Sequence, residues 1–354
     1  MSSDAPTAAF GACPAPIPPG DRILLGHGSG GLLTARLVEE LVVPAFRNPA
    51  LERLDDAAVL AVDGGAKIAL TTDSYVVTPI FFPGGDIGEL AVNGTVNDLA
   101  VSGARPIALS LAFILEEGLP MDDLRRVVAS ARAAAARVGV PIVTGDTKVV
   151  GRGGADRIFV NTSGIGVVPA GVELSSTRVR PGDAILLSGE IGDHGVAILA
   201  CREGLTLDGD VSSDTAPLHD LAAAVLEAAP GAHAMRDPTR GGLAGVLVEI
   251  ATRRRVGIEI EERAVPVSEV VRGACELLGL DPMMVANEGK LVAFVPEAEA
   301  EAALEAMRAH PLGRRAARVG RVVEAHAGEV ALRTSVGGQR VVDLPLSEPL
   351  PRIC

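Results

Sequence analysis

The chain has 354 residues, 48% of them hydrophobic but only 2% aromatic, and 45 Asp plus Glu outweigh 32 Lys plus Arg for a formal net charge of −13. That length points to two domains, and a core of Ala, Val, Leu and Ile without Trp suits layered α/β packing. An acidic chain with almost no aromatic platform is a poor match for nucleic acid or an anionic membrane.

The longest uncharged stretch, residues 5–20, is sixteen residues with five prolines and cannot span a bilayer. The start, Met1-Ser2-Ser3-Asp4, has no basic region ahead of an apolar run, so it does not read as a secretion signal. Cysteines 13, 201, 275 and 354 show neither a CxxC pair nor zinc spacing. The expectation is a cytoplasmic protein with reduced thiols.

In chain order, Ala/Pro-rich residues 1–21 read as a flexible extension. A short strand is expected at 23–25, then a glycine loop and a helix over 34–43. Strands follow at 57–62 and 68–72, a helix at 87–102 and a strand at 107–115. An amphipathic helix starts near 121 with acids in its first turn and Gly139 as a stop. Strands at 140–143 and 158–168 complete an N-terminal domain over 22–177.

Pro181-Gly182 punctuates the chain before a strand at 183–187. Helices near 193–202, 217–229, 242–254 and 267–278, with strands near 256–260, 290–295, 319–324 and 329–333, suggest an α+β domain over 178–342. Its helices are expected on one face of a mixed sheet. Prolines at 345, 349 and 351 make residues 343–354 an extended tail ending in a thiol.

The segment Gly26-His27-Gly28-Ser29-Gly30-Gly31 formally matches GxGxxG. Glycines this dense suit a dinucleotide turn, any loop whose backbone approaches a phosphate, or simply a tight turn. Aspartates recur where strands or helices end: Asp55-Asp56, Asp73, Asn97-Asp98 and Asp146-Thr147-Lys148. Each alone reads as a cap or turn residue, but together they could form a hard oxygen cage for Mg²⁺ on a nucleotide triphosphate. Lys148 would add a cation near a transferred phosphoryl group.

In Asp237-Pro238-Thr239-Arg240-Gly241-Gly242, the two glycines free backbone amides at a helix start, where an anion or an ordinary N-cap would both fit. Glu288, in Asn287-Glu288-Gly289-Lys290, could be a base or a turn acid, and His194 reads as a helix-start residue. Cys354 has nothing after it to pack against. A terminal thiol on about ten extended residues could sweep roughly 30 Å, which describes a carrier arm.

These segments accumulate into a resemblance. GHGSGG at 26–31, TTDSYVVTPIFF from 71, VNGTVNDLAVSGA ending at 104, FILEEGLPM at 113–121, VTGDTKVV at 143–150, GDHG at 192–195, DPTRGGLA at 237–244, NEGKL at 287–291 and terminal PRIC resemble the HypE family of hydrogenase maturation factors. That family belongs to the superfamily of aminoimidazole ribonucleotide synthetase, selenophosphate synthetase and thiamine monophosphate kinase. The resemblance implies an N-terminal ATP-binding α/β domain, a C-terminal α+β domain and a homodimer.

The resemblance also implies a carbamoyl dehydratase. The terminal cysteine would receive a carbamoyl group from HypF, ATP would drive its dehydration to an S-cyanide, and the cyanide would pass to a HypC–HypD complex on its way to a nickel-iron centre. Carried over by position, Cys354 bears the substrate, with Lys148 and Glu288 moving protons or stabilising charge. Gly28, Gly30, Gly31, Asp73, Asn97, Asp98, Asp146, Thr147, Arg240, Gly241 and Gly242 would bind ATP, and Asp56, Asp73, Asp98 and Asp146 would hold Mg²⁺.

Overall fold

A computed structural model describes residues 22–345 and 352–354. The expectations for residues 1–21 and for 346–351 of the tail lie outside the described residues. The first sheet orders its strands β1 (Ala58–Ala61), β2 (Lys67–Tyr75), β8 (Ile158–Val168), β5 (Arg105–Glu116) and β6 (Ile142–Thr144), while β7 (Thr147–Val150) also pairs with β5. β8 runs antiparallel to both β2 and β5, whereas β6 and β7 lie parallel to β5. A small ribbon, β3 (Phe81–Phe82) with β4 (Gly85–Asp86), leads into the first long helix.

That helix, α3 (Ile87–Val101), is capped by Asp86, whose carboxylate accepts the Gly88 and Glu89 amides at 2.7 and 3.2 Å. It is buried almost all round because it serves two domains. α4 (Met121–Val138) packs beside it through Val127, Ala131, Ala134 and Ala135 and stops at Gly139, whose φ is +74°. Gly88 permits the approach, since a β-carbon there would sit 2.3 Å from the Val127 carbonyl oxygen. One face of the sheet thus meets helices; on the rest, Leu60, Leu70, Ile107, Ile114, Val143 and Val149 remain exposed.

The expected strand at 23–25 is absent: a 3-10 turn occupies Leu25–His27, and Ile23, Leu24 and Leu25 are exposed with no ladder partner. An apolar run becomes a strand only where another strand offers its hydrogen bonds. The helix expected at 34–43 starts earlier, as α1 (Gly31–Leu37), and continues through a π-helical turn (Val38–Val42) into α2 (Val43–Ala45).

The second sheet has seven strands in the order β10 (Ala234–Arg236), β12 (Val292–Pro296), β9 (Asp183–Leu187), β13 (Ala317–Val323), β11 (Gly257–Glu261), β14 (Val330–Arg333) and β15 (Gln339–Val342). It is mixed: only the β11–β14 pair is parallel. Its helices cover both faces rather than one. Ile185 and Leu187 pack with α7 (Gly242–Arg254), while Ala184 and Leu186 pack with α6 (His219–Ala228) and α9 (Ala300–Ala309). Adjacent β9 residues point to opposite faces, so a strand buried at every position needs two covers. α5 (Asp193–Glu203) and α8 (Glu269–Leu278) join a third cluster that also takes in Tyr75, Phe82 and Ile353.

Two sets of hydrogen bonds help to stitch the domains together. Asp55 accepts the Ser175 hydroxyl and both the amide and hydroxyl of Ser176 at 2.6–3.0 Å, clamping the connection between them. Asn97, buried on α3, donates to the carbonyls of Ala216 and Glu288 and accepts the Leu218 amide.

Candidate active site

The next residue on α3, Asp98, opens the site. Its carboxylate accepts the Thr71 hydroxyl at 2.6 Å, and it comes together with Asp56 and Asp237, one oxygen from each lying within 4.8 Å of the others. These three come from different places: the loop before β1, the helix shared by both domains and the segment after β10. Burial pushes Asp98 well above the ordinary carboxylate range, with Asp73, Asp237 and Asp56 adding repulsion. Burial raises Asp237 to about 6, against the pull of Arg236. Asp56 is raised by burial as well, although Arg236 pairs with it at 2.7 Å. A divalent cation taking oxygen ligands fits such a group, because it supplies the charge these carboxylates lack.

Beside them lies a cavity of about 40 Å³ lined by Asp73, Tyr75, Asp98, Asp237, Arg240, Glu288 and Cys354, among others. Glu288 is 3% exposed, and its Oε1 is buried with no hydrogen-bond partner. Burial pushes its carboxyl well above the usual range, and Asp237, Asp214 and Asp73 push the same way. A buried carboxyl with one unpartnered oxygen, lining a thiol-bearing cavity, has the makings of a strong base. Its backbone is held firmly: Asp214 accepts the Glu288 amide at 2.9 Å and pairs with Lys290 at 2.8 Å. The Tyr75 hydroxyl donates to Asp73 at 3.2 Å, and Gly94 makes room for it, since a β-carbon there would fall 2.1 Å from that oxygen.

The terminal residues reach this cavity. Val76 donates its amide to the main-chain oxygen of Cys354 at 3.0 Å, and Thr78 to the Arg352 carbonyl at 3.2 Å. Arg202 donates to the same Arg352 carbonyl at 2.7 Å, and Arg352 pairs with Asp156. Ile353 is 2% exposed within the cluster around α5 and α8, and Cys354 is half-buried.

The glycine loop lies against the second domain. Arg240 donates to the Gly28 carbonyl at 3.1 Å, and Gly30, at φ +89°, packs on the Arg240 stem. The Thr34 hydroxyl bridges Gly26 and Gly30 from inside the loop. Gly241 and Gly242 take positive φ as α7 begins, and a β-carbon on Gly242 would meet two carbonyl oxygens at 2.6 Å. Packing alone therefore requires Gly242, whatever it also binds.

The structure thus gathers Asp56, Asp73, Asp98, Glu288, Arg240 and Cys354 in one region, with Gly28, Gly30, Gly31, Gly241 and Gly242 at its approach. It places two expected groups differently. Asn97 spends its amide on three hydrogen bonds that join the domains, so it acts as a strut. Asp146, Thr147 and Lys148 lie exposed where β6 gives way to β7; Asp146 pairs with Lys148 at 2.8 Å, which holds its carboxyl below the usual range, and stands outside the carboxylate group. Asp237, in a segment whose glycines carry the sequence signal, joins Asp56 and Asp98 in the group instead. Asp214 and Arg202 carry no local signal, because their partners, Glu288 and Arg352, are distant in sequence; Tyr75 bonds nearby Asp73 but is placed at the cavity by the fold.

Two family models match the chain: the N-terminal domain of AIR synthase related protein over residues 54–168, and the C-terminal domain over residues 180–333. Among curated proteins, carbamoyl dehydratase HypE of Cupriavidus necator is 55% identical over 333 residues, spanning 94% of this chain and 95% of that one. Among solved structures, a HypE–HypF complex superposes with a TM-score of 0.83 at 48% identity, covering 87% of this chain and 99% of its match. HypE in complex with ATP superposes at 0.79 with 52% identity, covering 94% and 100%. The chain belongs to the AIR synthase related family and, within it, to the carbamoyl dehydratases named HypE.

Proposed function

We propose that this chain uses ATP to dehydrate a carboxamide carried on the sulfur of its own Cys354, leaving an S-cyanide for nickel-iron hydrogenase assembly. The observation that carries the reading is the meeting of Cys354 with the buried Glu288, whose Oε1 has no hydrogen-bond partner, in one cavity beside Asp73, Asp98 and Asp237. ATP supplies the phosphoryl group that turns the amide oxygen, a very poor leaving group, into phosphate. Asp56, Asp98 and Asp237, with Asp73 adjacent, would hold the Mg²⁺ that screens the phosphates.

The chain's own groups do the rest. Tail contacts with Val76, Thr78 and Arg202 orient the thiol, and Ile353 seals the apolar side against water. Glu288 takes up N–H protons as the carbon–nitrogen triple bond forms, and its burial makes the ionised carboxylate more basic than an exposed one. Lys148 serves charge stabilisation or proton removal only if its exposed strip is brought to the cavity.

A related HypE is solved in complex with HypF, which supports HypF as a partner here; HypF then donates the carbamoyl group, and a HypC–HypD complex receives the cyanide. The protein works in the cytoplasm as a homodimer, burying the apolar face left open on the first sheet. Among the described residues no helix is long and apolar enough to cross a membrane.

Intact mass after incubation with a carbamoyl donor system tests the reaction: one carbamoyl increment should appear, then one water should be lost when Mg·ATP is added. Cys354→Ala should take up no carbamoyl group yet keep nucleotide binding. Glu288→Gln should stop at the carboxamide, with dehydration slowed by about 10²-fold or more. Normal cyanide yield from that variant removes Glu288 from the chemistry.

A further inference from the structure

His194, at the start of α5, is buried and touches no part of the carboxylate group, yet it contacts the last peptide of the chain. Its Nε2 lies 2.7 Å from the carbonyl oxygen of Ile353. A carbonyl can only accept, so the ring hydrogen sits on Nε2. Burial lowers the ring's proton affinity against the opposing pull of Asp214, so the ring is neutral and Nδ1 is an acceptor.

Ser213 Oγ, 2.7 Å from Nδ1, supplies that hydrogen, and itself receives the Thr215 amide at 3.2 Å. Each bond allows one direction, so donation runs from Thr215 to Ser213, to His194, to Ile353. The ring plane is set by Phe82, which meets it edge to face at 5.7 Å.

The residue between Ser213 and Thr215 is Asp214, which accepts the Glu288 amide. Gly289 lets the two segments touch, since a β-carbon there would fall 1.8 Å from the Asp214 carbonyl oxygen. The tail and the base therefore hang from one short strap.

We infer that His194 is a positioning residue which, through the Nε2–H···O=C bond to Ile353 and a tautomer fixed by Ser213, registers the Cys354 sulfur against the Glu288 carboxylate. This rests on the dehydratase reading for its purpose, but not for its test.

Thiol accessibility needs neither ATP nor a carbamoyl group. Iodoacetamide labelling of Cys354, read by mass on the fragment 343–354 released by cleavage before Asp343, should accelerate roughly tenfold in His194→Leu, the effect of one lost buried hydrogen bond. Single-turnover dehydration of carbamoyl-loaded protein should slow by a similar factor, with the melting temperature and its rise on adding Mg·ATP retained. His194→Gln places an amide N–H near the Nε2 position and should recover most of both losses, which a merely structural role would not do.

Should His194→Leu fail to fold, Ser213→Ala keeps the ring but frees its tautomer and should give the same changes at smaller size. Unchanged labelling in every folded variant overturns the inference, as does a Gln variant no better than Leu. Labelling that behaves as described in a protein with no dehydration upholds the latch and sinks the dehydratase reading instead.

Discussion

Asp98 and Asp146 look alike in the sequence, each a lone acid among small residues at the end of an apolar run, and the fold treats them in opposite ways. Asp98 rides a helix buried on both sides, hydrogen-bonds Thr71 and meets acids from both domains. Asp146 sits at the open margin of the first sheet, neutralised by a lysine two residues away. The contrast separates a charge that one chain buries at a cost, and so must be compensated by a ligand, from a charge already satisfied by solvent and a neighbour. The first has its setting within a single chain. The second has a role only if something else is laid against it.

The largest effect tests that condition. Lys148→Ala and Glu288→Gln should each lower dehydration by about 10²-fold as pure proteins. If the Asp146–Lys148 strip serves the cavity of a second copy, unfolding, mixing and refolding the two variants in equal amounts creates mixed dimers with one intact site. Activity should then return to about a quarter of native, since about half the dimers are mixed and each holds one such site. No recovery from two inactive partners would place Lys148 at its own chain's cavity, and an active Lys148→Ala would leave the strip with no part in the chemistry.

Much of the scaffold was legible because its signals are local. α3 follows Asp86 with an open run of small apolar residues, and α4 carries acids at its start, a 3.6-residue apolar stripe and Gly139 at its end. The punctuation at 181–182 likewise precedes β9. What escaped depends on distant partners. β7 is a strand only because β5 runs alongside it, and the short β10 only because β12 does. Asp237 could be seen as chemistry, but its company with Asp56 and Asp98 arises from how the domains close. The thiol was legible as a carrier; its docking was not, because residues 352–354 are held by Val76, Thr78, His194 and Arg202, all distant in sequence.

A middle-sized effect comes from the carboxylate group. Burial raises Asp237 to about 6, so its proton is held more firmly folded than unfolded. Its contribution to stability is present at low pH and is lost as pH rises from the ordinary carboxylate range, near 4, through about 6. Asp98, Asp56 and Glu288 act in the same direction, and Arg236 opposes them. The ligand-free protein should therefore melt at falling temperature across about pH 4 to 6, and Mg²⁺ should lift the upper end most. Asp237→Asn should flatten that slope, raise the ligand-free melting temperature at pH 7 by several degrees and weaken the Mg²⁺ response. An unchanged slope would show that Asp237 ionises as freely as an exposed acid, erasing its difference from Asp146.

The smallest effect distinguishes two glycines of the 26–31 loop. Gly30 holds φ at +89°, and a β-carbon there would stand 3.3 Å from the Arg240 β-carbon. Gly30→Ala should cost about 1–2 kcal/mol, a drop of a few degrees in melting temperature. Gly28 has an ordinary negative φ and nothing within 4 Å of where a β-carbon would stand. Gly28→Ala should therefore leave the melting temperature within about a degree, because neither strain nor packing opposes it. If that open space is where phosphates approach the backbone, the same methyl group should weaken Mg·ATP binding by about tenfold. Unaltered nucleotide affinity in a stable Gly28→Ala protein would reduce the loop to a tight turn braced by Thr34 and Arg240, and would leave the carboxylates as the chief hold on the nucleotide.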